Sequence, residues 1–239
     1  AGSARAFAAG QLLGRWHEAL SGMPHPFVAL RLGVHDTARH LEVLAAAIRD
    51  HADHPLQAEV APLAVDIGEA AARLPPLPAL PPTIGHGDPK ISNVVFRGDE
   101  AVALIDLDTV GPIQLAHELG DAWRSWCNPE REDAAAVRFD LQIFEASWEG
   151  YAAARSVDLA TRTSLLHGVE WISLALSARF AADALRERYF GWDPARFESR
   201  GHHNLVRARG QLALYHAAIR TRPQRARALA LRSPAPQTG

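Results

Sequence analysis

Apolar residues recur at intervals of three and four along most of the chain. Ala6, Ala9, Leu13, Trp16 and Leu20 form one such stripe and predict a helix over residues 4–20. Pro24 and Pro26 end it. Gly33-Val34-His35-Asp36-Thr37 reads as a loop whose Asp36 or Thr37 caps a second helix, with Leu41, Leu44 and Ile48 on its buried face. A third helix is predicted over 57–74 with Val60, Ala64, Ile67, Ala71 and Leu74 inward. The Pro-rich residues 75–82 form an extended, stiff connector inside one domain. Further helices are predicted over 115–127, over 133–154 with Val137, Leu141, Phe144, Trp148 and Tyr151 inward, and over 158–188 with Asp158 as N-cap. His202-His203-Asn204 opens the last one, which turns Leu205, Ala208, Leu212, Tyr215 and Ile219 inward. Residues 221–239 are rich in Arg, Ala and Pro and read as a flexible, solvated tail.

One stretch breaks the helical period. From Ile84 to Asp108 short apolar runs alternate with polar turns. Val94 to Phe96 and Ala101 to Ile105 have strand length, and Arg97-Gly98-Asp99-Glu100 suits a tight turn between them. The fold class is therefore mainly α with a small β-hairpin. If the runs pair, the start of the first lies beside the end of the second, and Asp88, Asn93, Asp106 and Asp108 crowd one end. Phosphoryl transfer needs oxygen ligands for Mg²⁺, a carboxylate to take the acceptor's proton, and positive charge on the moving group. Asp106 and the side-chain oxygen of Asn93 suit Mg²⁺, which takes one or two carboxylates plus phosphate oxygens. Asp88 suits the base, and Lys90, the one Lys in the chain, can reach a γ-phosphate. Asp108 reads as a second metal ligand, an acceptor contact or a helix cap. The blander alternative makes Asp88, Asn93 and Asp106 turn and cap residues.

His86-Gly87-Asp88-x-x-x-x-Asn93 followed by Ile105-Asp106 resembles the catalytic loop and metal site of the aminoglycoside phosphotransferase and choline kinase superfamily. That superfamily shares the protein-kinase fold, whose H-R-D-L-x-x-x-N and D-F-G patterns follow the same logic. The resemblance implies ATP as donor, Asp88 as catalytic base, Asn93 and Asp106 as Mg²⁺ ligands, and His86 as loop support. It also implies that Asp121, in Glu118-Leu119-Gly120-Asp121, binds the loop from below. Further blocks are similar to the N-acetylhexosamine 1-kinase branch: Gly33 to Thr37, Ile105 to Val110, Leu119 to Ala122, Arg179-Phe180 with Tyr189-Phe190, and His203 to Ala208. This second resemblance implies a sugar hydroxyl as acceptor, contacted by Arg179 and Tyr189. After Val110 the chain departs from that branch, with Gly-Pro-Ile-Gln in place of a Met-Pro-Gly turn.

A kinase of this fold also has an N-lobe, with a Gly-rich loop over the phosphates and a Lys for the α- and β-phosphates. Neither is visible in the sequence. The expectation is a helical C-lobe over 1–220, with the catalytic loop at 84–97, the metal-site strand end at 101–108 and acceptor-side helices over 115–220. Such a chain would be inactive without an N-lobe as partner.

Composition adds limits. Hydrophobic content of 48% and charged content of 22% are ordinary for a soluble domain. A net charge of −2 leaves no nucleic-acid footprint. The single cysteine, Cys127, excludes an intramolecular disulfide and fits a reducing, cytoplasmic setting. No stretch approaches the length of a membrane span. In the longest predicted helix the stripe Leu165, Val169, Ile172, Leu176 runs on into Arg179 and Asp183. Burying either charge alone is expensive, so the face opens there into a polar cleft where both touch the acceptor, or the two pair. The aromatic loop from Tyr189 suits a sugar or nucleoside pocket, or a plug for the helix end. Two other classes compete with a small-molecule kinase. One is a metal-dependent hydrolase holding an ion with His86, Asp88, Asp106 and Asp108. The other is a non-catalytic binding module, which has no need of Asp88, Asn93 and Asp106 together.

Overall fold

A computed structural model describes residues 2–28, 30, 33–134 and 136–230, and among these the chain forms eight α-helices and four short strands. The helices are α1 Ser3–Ala19, α2 Thr37–Asp50, α3 Gln57–Ala72, α4 Leu115–Trp126, α5 Leu141–Ala154, α6 Leu159–Arg186, α7 Arg200–Arg220 and α8 Arg222–Ala230. The strands are β1 Thr83–Gly85, β2 Val94–Arg97, β3 Glu100–Leu104 and β4 Gly111–Ile113. The architecture is mainly α, as the periodicities imply. Asp36 and Asp158 cap α2 and α6, accepting the N–H groups of Arg39 and Thr161 at 3.0 and 2.8 Å.

The 28-residue helix α6 ties the molecule together. Leu165 and Val169 in its first half join α1, α4 and α5 in a core built on Trp123, Phe144, Trp148 and Tyr151. Leu174, Ala178 and Ala181 in its second half join α2, α3 and α7 around Leu44, Val60, Ile67 and Leu205. A helix that is apolar on most sides belongs inside, and each large side chain it buries contributes about 1.5–3 kcal/mol.

The hairpin is present: β2 pairs antiparallel with β3, Val94 opposite Leu104, and a bulge falls between Val95 and Phe96. A second two-stranded sheet has no counterpart in the sequence reading. Here β1 pairs with β4, Gly85 opposite Gly111, so both ends of the 84–108 stretch are drawn together.

Two expectations need correction. First, α5 starts at Leu141 and not at 133, with Asp140 as its cap, accepting from Gln142 and Ile143 N–H at 3.1 and 3.2 Å. The stretch before it is pinned as a loop by Asp133, which meets Arg131 at 3.1 Å, Arg196 at 2.5 Å and His203 at 3.2 Å. Burial acts to raise the Asp133 carboxyl, but its bonds to Arg196 and Arg131 outweigh that and hold it at about 2. Second, the flexible tail does not begin at 221. Residues Arg222–Ala230 form α8, and two of its three arginines turn back onto the molecule while Arg227 stays exposed. Arg222 meets the fully buried carboxylate of Glu170 on α6 at 2.8 and 3.0 Å, and buried Arg225 meets it at 2.5 Å. Arg225 also lies over the Phe139 ring at 5.6 Å. Residues 231–239 of the expected tail lie outside the described residues. Among the described residues, no helix is long and apolar enough to cross a membrane.

Candidate active site

The loop from Ile84 to Asn93 leaves β1 and enters β2 through a single 3-10 turn, Ile91–Asn93. Such irregular backbone cannot satisfy its own polar groups, and α4 satisfies many of them. Glu118 accepts the backbone N–H groups of His86 at 2.7 Å and Gly87 at 3.0 Å. Farther along α4, Ser125 Oγ accepts from Ile91 N–H at 3.0 Å, and Trp126 Nε1 donates to the Pro89 carbonyl at 2.8 Å. Two glycines make the fit possible. A Cβ at Gly85 would fall 2.3 Å from Ile113 and 2.9 Å from the Glu118 carboxyl carbon. Gly87 has φ +82°, and a Cβ there would fall 2.4 Å from the Thr109 carbonyl oxygen.

His86 is fully buried. Its Nε2 lies 2.8 Å from the Ile105 carbonyl and its Nδ1 accepts from Asp88 N–H at 3.3 Å. Those partners require a proton on Nε2 and a lone pair on Nδ1. The imidazole therefore braces the loop against the end of β3. Thr109 Oγ1 adds a bond to the His86 carbonyl at 2.8 Å.

The hairpin brings the start of β2 beside the end of β3, and Ile105 N–H donates to the Asn93 carbonyl at 3.0 Å. Asn93 Nδ2 donates to the backbone oxygen of Asp88 at 2.9 Å and to its Oδ2 at 3.3 Å. The amide oxygen, Asn93 Oδ1, is the atom that could serve a metal. Lys90 Nζ hydrogen-bonds Asp88 Oδ2 and lies 3.8 Å from Asp106 Oδ2. Asp106 adopts a left-handed backbone, φ 66° and ψ 57°, and its side chain is 50% exposed. Few non-glycine residues tolerate that conformation, and Asp is among them. Asp108 sits on the exposed single turn Leu107–Thr109.

A cavity of about 550 Å³ opens beside these groups. Asp88, Lys90, Asp121, Arg124, Arg179 and Tyr189 are among its lining residues. Arg179 lies over the rings of Tyr189 at 5.7 Å and Phe190 at 5.3 Å. Asp183 does not join it. Asp183 is buried, and its oxygens accept from the N–H groups of Arg188, Tyr189 and Phe190 and from Asn204 Nδ2, at 2.9–3.2 Å. The two residues neither pair nor share the cleft: Asp183 ties down the loop after α6, and Arg179 faces the cavity.

Asp121 also differs from what the resemblance implies. Its carboxylate accepts from Arg124 Nε at 2.7 Å, and Glu118, one turn earlier, holds the loop. Arg124 is largely covered, which acts to lower its pKa, but Asp121, Glu132 and Asp88 together raise it.

A family model described as APH, the phosphotransferase enzyme family, matches residues 3–156, more than half of the chain. The chain belongs to the phosphotransferase enzyme family. The matched region takes in the catalytic loop, the hairpin, α4 and α5, while Arg179 and Tyr189 lie beyond it.

Phosphoryl transfer generally uses a divalent ion, and the donors here would suit Mg²⁺. An exposed carboxylate and an amide oxygen are hard ligands, and the Lys90 ammonium already lies between Asp88 and Asp106, where positive charge is favoured. The hydrolase alternative is not favoured by the same geometry. Both nitrogens of His86 are taken, and among the described residues no three His, Cys, Asp or Glu side chains converge on one point. Sequence reasoning missed Glu118, Ser125, Trp126 and Thr109. Only Glu118 left a signal, as an acid on the apolar face of α4 between Leu115, Leu119 and Ala122.

Proposed function

We propose that this chain is the catalytic lobe of a small-molecule kinase that moves the ATP γ-phosphoryl group onto an acceptor hydroxyl. The observation that carries this reading is the meeting of Asp88, Lys90, Asn93 and Asp106 at one end of the hairpin, beside the 550 Å³ cavity. Asp88 takes the proton of the acceptor hydroxyl. Asn93 and Asp106, with Asp108 as a further candidate, would hold Mg²⁺, which supplies charge neutralisation for phosphate oxygens. Lys90 brings positive charge to the transferred group. His86 and Glu118 keep the loop in place.

The acceptor we favour is a neutral, oxygen-rich one, with N-acetylated hexosamines first. Arg179 supports this choice, because its guanidinium rests on aromatic faces and offers donors to oxygen while repelling a cationic amine. Lys90 is engaged with Asp88 and Asp106, so gripping the α- and β-phosphates calls for further donors. We infer that turnover requires a nucleotide-gripping N-lobe to meet this face, in the cytoplasm where ATP is supplied.

The test is ADP release by the full-length gene product with Mg·ATP and a panel of hydroxyl acceptors. N-acetylglucosamine and N-acetylgalactosamine come first. Acceptor-dependent turnover is expected, with Asp88→Asn lowering kcat by roughly 10²–10⁴. Turnover that survives Asp88→Asn, or none with any acceptor in a folded protein, overturns the reading.

A further inference from the structure

The catalytic loop hangs from a carboxylate that is itself held from behind. Glu118 is 0% exposed, and among the described residues no Lys or Arg lies within salt-bridge distance of it. A buried carboxylate needs donors. Two are the backbone N–H groups of His86 and Gly87. The third is His17 of α1, also 0% exposed, whose Nε2 lies 3.4 Å from Glu118 Oε1. That separation is long for a hydrogen bond, so its contribution is mainly electrostatic. The other ring nitrogen of His17 lies 2.8 Å from the hydroxyl of Tyr151 on α5. Burial pushes the Tyr151 phenol well above its usual range, so it stays a neutral O–H. Arg155 faces the same hydroxyl and donates to Thr83 Oγ1 at 3.1 Å, at the start of β1.

A carboxylate can only accept, so His17 Nε2 carries its proton toward Glu118. In the neutral ring Nδ1 is then the acceptor, and it takes the Tyr151 O–H. We infer that His17 and Tyr151 are positioning residues: they orient Glu118 and supply its third donor, and through its two backbone bonds they fix the loop that carries Asp88. Neither touches the reacting atoms. Their effect on turnover rests on the kinase reading, whereas their effect on the loop does not.

The experiment uses the full-length protein with His17→Leu, His17→Gln and Tyr151→Phe. Amide hydrogen exchange over residues 86–87 is followed by mass spectrometry, with α6 around Leu174 as an internal reference, alongside kcat and KM for ADP release. His17→Leu keeps apolar volume and gives Glu118 no donor. Exchange at 86–87 is expected to quicken by about tenfold or more with α6 unchanged, and kcat to fall about tenfold with acceptor KM within about twofold. His17→Gln, whose Nε2 can still donate, is expected to restore most of both. Tyr151→Phe removes one oxygen, serves if His17→Leu does not fold, and should shift both quantities less but in the same direction. Unchanged exchange at 86–87 in the folded variants overturns the inference, and so does equal damage from Leu and Gln. Faster exchange in a protein whose wild type phosphorylates no acceptor upholds the positioning and overturns the kinase reading instead.

Discussion

Glu118→Gln separates the two acidic residues of α4 by what they do. The carboxylate accepts two backbone N–H groups, from His86 at 2.7 Å and from Gly87 at 3.0 Å. A Gln in the same place keeps one carbonyl oxygen and turns an NH₂ group toward the other N–H. One charge-assisted bond becomes a neutral one of about half the strength. The other is lost and leaves a buried donor facing a donor, at a cost of about 1–3 kcal/mol. Together the change should destabilise the protein by roughly 2–4 kcal/mol, a loss that a domain of ordinary stability survives. Urea unfolding at pH 7 reads it as a lower midpoint with an unchanged slope. Amide exchange at residues 86–87 locates it. Asp121→Asn is the control, since Asp121 bonds Arg124 and not the loop. It should leave exchange at 86–87 where it was. A Glu118→Gln protein within about 0.5 kcal/mol of wild type, with exchange unaltered at 86–87, would refute the assignment of the anchor to Glu118.

Other outcomes rest on the same geometry. Burial acts to raise the Glu170 carboxyl, but His167, Arg222 and Arg225 lower it from 4.5 to about 2. A folded value below the unfolded one stabilises by about 3 kcal/mol at pH 7, fully present above about pH 4.5 and lost as pH falls through about 2. The destabilisation caused by Glu170→Gln in urea titrations should therefore shrink steadily between pH 5 and 3, and a penalty constant over that window would count against the α8 anchor. Arg179→Met should raise acceptor KM about tenfold while changing kcat little, because it removes donors without touching Asp88. An unaltered KM would take Arg179 out of the acceptor site.

What the sequence discloses is what local rules control. Asp36 and Asp158 are legible as caps because a short acceptor side chain stands just before an apolar stripe. The hairpin is legible because its runs lose the helical period and flank a Gly turn at Gly98, φ +60°. That pairing is also what puts Asn93 beside Asp106, so the heart of the site is legible from the sequence. The failures share a cause, a partner distant in sequence. The sheet of β1 and β4 is three residues deep and contains Gly and Pro, too short for a period to show. The late start of α5 depends on Arg196 and His203, more than sixty residues from Asp133. The docking of α8 depends on Glu170, more than fifty residues from Arg222. Asp183 continues an apolar stripe and so reads as a cleft residue. It serves the helix end instead, where Glu187 turns left-handed with φ 50° and no glycine marks the stop.

The site divides along the same line. Asp88, Asn93 and Asp106 stand on a loop, a single 3-10 turn and a left-handed residue, none of which is stable alone. The backbone around Asp88, at His86, Gly87, Pro89 and Ile91, is bonded to Glu118, Ser125 and Trp126 of α4, and α4 belongs to the core shared with α1 and α5. Helix packing therefore sets the precision of the chemistry, and packing errors near α1 or α5 should reach Asp88 without any contact to it. The acceptor side is built differently. Arg179 lies on the second half of α6 and Tyr189 on the loop that Asp183 ties down, next to the core of α2, α3 and α7. The family match stops at residue 156, before either. The half of the pocket that would do chemistry and the half that would choose the acceptor thus rest on separate cores joined by α6. A substitution in one half can change kcat without changing the acceptor, and one in the other half can change the acceptor without changing kcat.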